Sequence, residues 1–153
     1  MNGWLWTATV LLAVGFGPVV WAVATGPVGR RVVAQNFGTS AVCLVMLLLA
    51  QGYQRPSYTD LALVLAVLGP VGTLVYARLL ADDLSPHPPH TDLLTAAAVL
   101  ATTAVVVAVC AAAGPGRAMV KLLVTGALLV AGNVIASRAV SGGYRNAEAT
   151  SHG

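Results

Sequence analysis

Thr59 to Ala81 reads TDLALVLAVLGPVGTLVYARLLA, and between Asp60 and Arg78 it carries 17 residues without a charge. At about 1.5 Å per helical residue those 17 span roughly 25 Å, and the Leu-Leu-Ala beyond Arg78 lengthens the apolar part. Arg78 can bury its stem and lift its guanidinium to the headgroup level, so it does not spoil a crossing. The stretch predicts a transmembrane helix, with the other apolar runs packed around it.

Composition extends that reading to the whole chain. Hydrophobic residues fill 58% of the 153 positions and charged residues only 8%, with a mean hydropathy of +0.83. A soluble domain carries about 25% charged residues and needs them to cover its surface. The expected fold is therefore an all-α polytopic membrane bundle of five transmembrane helices, at about 3–24, 32–54, 59–81, 93–113 and 118–140. A formal charge of +3 then reports on topology and gives no support to a nucleic-acid partner. Cys43 and Cys110 both lie in apolar runs, without metal-ligand spacing, so neither a metal site nor a disulfide framework is expected.

Residues 1–29 contain no charged side chain. The start lacks the basic region of a secretory signal and is expected to stay as the first helix. Trp4 and Trp6 near one end and Trp21 near the other form the aromatic belts of a span. Gly15, Gly17 and Pro18 predict a kink or a close neighbour, and Gly26-Pro27 predicts the helix stop. The second span opens with Gln35, Asn36, Thr39 and Ser40, polar residues for a lipid environment. Positions 36, 39, 40 and 43 share one helical face, so the stripe is expected to point into the bundle. Interhelical hydrogen bonding accounts for it most simply; a lining for protons or cations is the other reading.

Thr59 is the expected N-cap of the third helix, with Asp60 complementing its dipole; an ion-landing role for Asp60 is the alternative. Gly69, Pro70 and Gly72 interrupt the middle of that helix and would admit a partner backbone. The linker 83–91 holds His87-x-x-His90, but prolines at 86, 88 and 89 favour extended geometry over a shared helix face. A solvated linker is expected there. In the fourth span Ala97, Ala101, Ala104, Ala108 and Ala112 make a small-residue stripe suited to close helix packing. Arg117 and Lys121 open the fifth span, with Asn133 and Ser137 as its polar members, and residues 141–153 read as a polar tail without order at its end. Asn36, Thr39, Ser40, Asp60, Thr73, Tyr76 and Asn133 are the candidates for an ion path or for interhelical polar contacts. Arg30, Arg31, Arg78, Arg138 and Arg145 fall on one membrane face and Arg55, Arg117 and Lys121 on the other. That bias predicts an outside N-terminus and a cytoplasmic C-terminus.

Two stretches resemble the F subunit of Mrp-type multisubunit sodium/proton antiporters, a small three-helix membrane protein. The first is Gly26-Pro27 with Arg31-Val32-Val33-Ala34 and Gly38-Thr39, similar to the family's GP-x-x-x-DRVVALD-x-x-GT. The second is Asp60-x-Ala62-Leu63-Val64-Leu65-Ala66-Val67-Leu68-Gly69 with Gly72-Thr73 and Ala77-Arg78. Together they cover about residues 5–82. The last third is similar to the end of the Mrp G subunit through Lys121-Leu122-Leu123, Gly132-Asn133-Val134-Ile135-Ala136-Ser137-Arg138 and Tyr144-Arg145. The resemblance implies an F-like unit (1–82) fused to a G-like two-helix unit (92–140). It also implies other membrane subunits as partners, Na⁺ and H⁺ moved at the level of the complex, and a prokaryotic plasma membrane.

The departures matter. Asn36 stands near the family's second-helix acid, Arg30 replaces the Asp before the arginine, Val134 replaces a proline and Arg138 a histidine. An amide at 36 hydrogen-bonds but cannot relay a proton by changing charge. The expectation is a non-catalytic subunit, no enzyme and no cofactor, that supports assembly and contributes to an ion path. A membrane-arm subunit of a related redox complex, and a small stand-alone transporter, are the alternatives. The transporter would need an intramembrane acid or an inverted repeat, and neither is visible.

Overall fold

In a computed structural model of the chain, residues 2–26, 28–79 and 91–151 are described, side chains of 91–94 and 140–151 excepted. They form five helices, α1 (Gly3–Thr25), α2 (Val28–Tyr53), α3 (Ser57–Leu79), α4 (Thr91–Ala113) and α5 (Arg117–Ser151). All five are long and apolar enough to cross a bilayer, and no strand occurs among the described residues. The linker holding His87 and His90 lies outside the described residues, as does Pro27 of the first turn.

Helices are the outcome because backbone N–H and C=O groups in lipid must be satisfied within the segment. The connections from α1 to α2, α2 to α3 and α4 to α5 are short. α2 ends with Gln54 in the left-handed region, φ 55°, while the Arg55 N–H reaches back to the Ala50 carbonyl at 3.1 Å. That is the six-residue closure of a Schellman motif, built here without glycine. α4 ends at Gly114, also in the left-handed region, φ 69°, and Pro115 behind it has no N–H to continue the helix. The N–H groups of Tyr58, Thr59 and Asp60 bond to the carbonyls of Arg55 and Pro56. α3 therefore starts at Ser57, and Thr59 sits buried inside the first turn rather than capping it.

The centre of the bundle is α2, not α3. Twelve α2 residues are buried, against four in α3 and two in α1, and α2 touches each of the other four helices. Its sequence explains this. Ala34, Gly38, Ser40, Ala41 and Cys43 are small, and small side chains let neighbouring backbones come close on several sides at once. A Cβ added at Gly38 would stand 3.0 Å from Val19 of α1, and Gly15 of α1 lies against Ala41.

Two faces follow from the up-and-down course. The first carries the start of α1, the end of α2, the starts of α3 and α5 and the end of α4; the second carries the opposite ends. On the first-face side, Ala8, Leu47, Leu48, Ala62, Val109 and Leu122 bring all five helices into one apolar cluster. Cys43, Leu44, Ala66 and Leu129 continue it inward.

Two expectations change in this half of the chain. The alanine stripe of α4 is not the face that packs within the chain: Ala97, Ala101, Ala104, Ala108 and Ala112 are all exposed. The inner face is Ala98, Thr102, Val106 and Val109, with Val106 seated against Gly126 of α5. An alanine-rich helix has small residues on every side, so the larger valines select the face that is filled. The backbone of α5 also continues as helix through Ser151, where a tail without structure was expected.

Candidate functional site

Asn36 lies 17 residues before the end of α2 and Asn133 lies 16 residues after the start of α5. At about 1.5 Å per residue both stand roughly 25 Å from the first face, at one depth. The bundle brings them together: Asn36 Nδ2 donates to Asn133 Oδ1 at 2.8 Å, and Ser40 Oγ donates to the same oxygen at 3.1 Å. Asn36, Ser40 and Asn133 are all buried. The polar stripe of α2 thus faces α5, and one helical turn on, Cys43 Sγ donates weakly to the Ala62 carbonyl of α3.

The cluster is not fully satisfied. Asn36 Oδ1 and Asn133 Nδ2 are buried and have no hydrogen-bond partner. Each orphaned polar atom in a low-dielectric interior costs about 1–3 kcal/mol. Neither amide carries a charge or can change one, so the cluster can orient, hold a polar guest or brace helices, but cannot pass a proton by titrating.

α3 closes the site from the side. Gly69 packs on Thr39: a Cβ there would come within 2.9 Å of Thr39 Cγ2 and 3.9 Å of Asn36 Oδ1. Pro70 has no N–H to give the turn before it, and its ring fits against Gly132 of α5, where any Cβ would collide with it. Gly69, Pro70, Gly132 and Asn133 therefore form one junction of α2, α3 and α5. Gly72 has open space around it. It borders a small notch of about 160 Å³ with Gln35, Thr39, Gly69 and Thr73. The Thr39 and Thr73 hydroxyls donate to the carbonyls four residues back, Gln35 and Gly69, a common arrangement for threonine in an apolar helix. Tyr76 is exposed and lines a separate, larger groove between α1 and α2.

Asp60 belongs elsewhere. It lies at the first face and pairs with Lys121 at 2.7 Å, both side chains more than half exposed. The contact ties the start of α3 to the start of α5 and sits far from the amides. Nothing in the sequence pairs Asp60 with Lys121, 61 positions on, beyond opposite charges at the starts of two helices. Pairing of Asn36 with Asn133, 97 positions apart, carried no sequence signal beyond two polar residues at matching depth. Among the described residues, no group of three or more His, Cys, Asp or Glu side chains gathers to hold a metal.

The comparisons bear on the middle of the chain. Residues 30–81 match the family model of multiple resistance and pH regulation protein F (MrpF/PhaF). Members of the MrpF family are subunits of a multisubunit Na⁺/H⁺ antiporter. The matched segment is about a third of the chain. It takes in nearly all of α2 and the whole of α3, hence Asn36, Ser40, Gly69 and Pro70, and stops short of α4 and α5. The MrpF-like segment thus supplies two of the three helices at the junction, and α5 brings Asn133 to it. No curated protein and no solved structure matches the chain.

Proposed function

We infer that the chain is a non-catalytic membrane subunit of a multisubunit Na⁺/H⁺ antiporter, with an F-like unit in α1–α3 and a G-like unit in α4–α5. The observation that carries this reading is the MrpF match over residues 30–81 on a helix pair whose buried polar side chains, Asn36, Ser40, Thr59 and Thr73, carry no charge. Coupled transport through one protein needs intramembrane groups that gain and lose charge along a hydrated path. At the junction this chain offers Asn36, Ser40 and Asn133, which brace. Charge movement then belongs to larger partner subunits, with Gln35, Thr39 and Thr73 at the notch contributing at most uncharged oxygens to a cation's route. The exposed alanines of α4 are the face offered to a neighbouring subunit. The arginine-rich second face is cytoplasmic, and the host membrane is a prokaryotic plasma membrane.

Affinity purification of the tagged chain from its native membrane tests the assignment: larger membrane subunits are expected to co-purify. In parallel, vesicles containing the chain alone are expected to show no cation-dependent proton flux. Robust exchange by the lone polypeptide would defeat the subunit reading.

A further inference from the structure

Beside the contact of α1 with α2, on the side toward α3, the second-face half carries a groove of about 780 Å³ open along the surface of the bundle. Its walls are apolar along most of their length, including Phe16, Val20 and Val23 from α1 and Val42 from α2, with Leu65 from α3. At its outer end stand Arg31 and Tyr76. The groove is a feature of this chain's own helices and stands whether or not the chain serves an antiporter.

We propose that this groove binds one anionic phospholipid, with an acyl chain between α1 and α2 and the phosphate on Arg31. Length and charge agree on that occupant. From Arg31 to Val42 the groove follows eleven residues of α2, about 16 Å, which is one leaflet of a hydrocarbon core roughly 30 Å thick. A lipid whose phosphate sits at Arg31 reaches Val42, near the bilayer middle.

The outer end is built for an anion. Arg31 Nε donates to the Gly26 carbonyl at 2.8 Å, which holds the side chain in place through a nitrogen other than its two terminal ones. Arg30, beside it, lies over the Trp21 ring at 4.9 Å and adds a second positive charge at the headgroup level. The carboxylate whose pairing is described, Asp60, is committed to Lys121 at the opposite face. Tyr76, exposed at the same end, places an amphipathic ring where aromatic side chains anchor to headgroups.

The test uses the purified full-length chain, delipidated in neutral detergent, offered equimolar phosphatidylglycerol and phosphatidylcholine, with bound lipid read by native mass spectrometry. Phosphatidylglycerol is expected to be retained about fivefold over phosphatidylcholine, the preference one cation confers at an anionic surface. Arg31→Gln is expected to abolish the preference and Arg31→Lys to keep most of it, while Arg117→Gln at the opposite face leaves it unchanged. Val20→Trp, at an exposed position that the fold does not depend on, is expected to remove retention of both lipids by filling the groove. Equal retention of the two lipids, an unchanged preference in Arg31→Gln, or full retention in Val20→Trp would each overturn the proposal. Displacement of the lipid by millimolar inorganic phosphate would overturn it too, because the anion alone would then account for the site.

Discussion

The first-face half of the bundle and the second-face half solve the same packing problem in opposite ways. In the first, Leu47, Leu48, Val109 and Leu122 are almost fully buried and interlock all five helices. In the second, two amides and a hydroxyl are buried among small side chains and valines such as Val32, Ala34 and Ala41, two of the amide atoms are left without partners, and a groove opens beside them. Lipid is as apolar as leucine, so no hydrophobic force pulls the first half together; close contact alone does. The second half relies on a few directional bonds and on glycines that admit a proline ring and a threonine methyl. One half is a lock, and the other is a joint that has been left adjustable.

The comparison breaks most readily at Gly132. Gly132→Val drives a side chain into Pro70 and should separate α3 from α5, costing about 3 kcal/mol or preventing folding, as overpacking does. Thermal unfolding followed by helix content in detergent reads it. Next comes Leu47→Ala, expected to cost about 2 kcal/mol: the water-to-oil part of the usual penalty is missing in a membrane, and the cavity part remains. Asn133→Leu strips partners from Asn36 and Ser40 and should cost about 1–2 kcal/mol. The double change Asn36→Leu with Asn133→Leu should cost less than the sum of the two singles, because no amide is then left alone. A sum that is simply additive would mean the two amides are not coupled, and the contrast between halves would lose its basis.

Smaller effects sharpen the picture at the edges. Asp60→Asn removes a surface ion pair worth under about 1 kcal/mol, and the wild-type advantage should fade as salt is raised past physiological strength. In the assembled complex, the same substitution should lower yield more than it changes ion affinity. Gln54→Gly should raise stability by a few tenths of a kcal/mol to about 1 kcal/mol, since Gln54 holds a left-handed backbone that glycine adopts freely.

How much of this was legible in the chain varies from helix to helix. Helix positions were, because 17 uncharged residues between Asp60 and Arg78 leave no other reading, and the same holds for each apolar run. The inward face of α2 was legible too, since Asn36, Ser40 and Cys43 recur at the helical period. Its partner was not, because a hydrogen bond between two helices depends on their relative depth and rotation, which no local pattern encodes. The centre was not, for a related reason: α3 shows a clean apolar run between two charges, but the middle of this bundle goes to α2, whose small residues Ala34, Gly38, Ser40, Ala41 and Cys43 are buried against its neighbours. On α4 the alanines drew attention and the valines did the packing. The MrpF-like motif could be seen in the residues it shares with its family, and the groove could not, because a groove is made by three helices together.

Asn36 and Asn133 also set a timetable. Ninety-seven positions separate the two partners, so a ribosome adding about 5–20 residues per second finishes the α2 amide some 5–20 s before the α5 amide exists. For that interval the growing polypeptide sits in the bilayer with one amide that has not met its final partner. A chaperone, a translocon wall or another nascent subunit must shelter it. Release of the finished protein from that shelter would then be triggered by arrival of its own last helix.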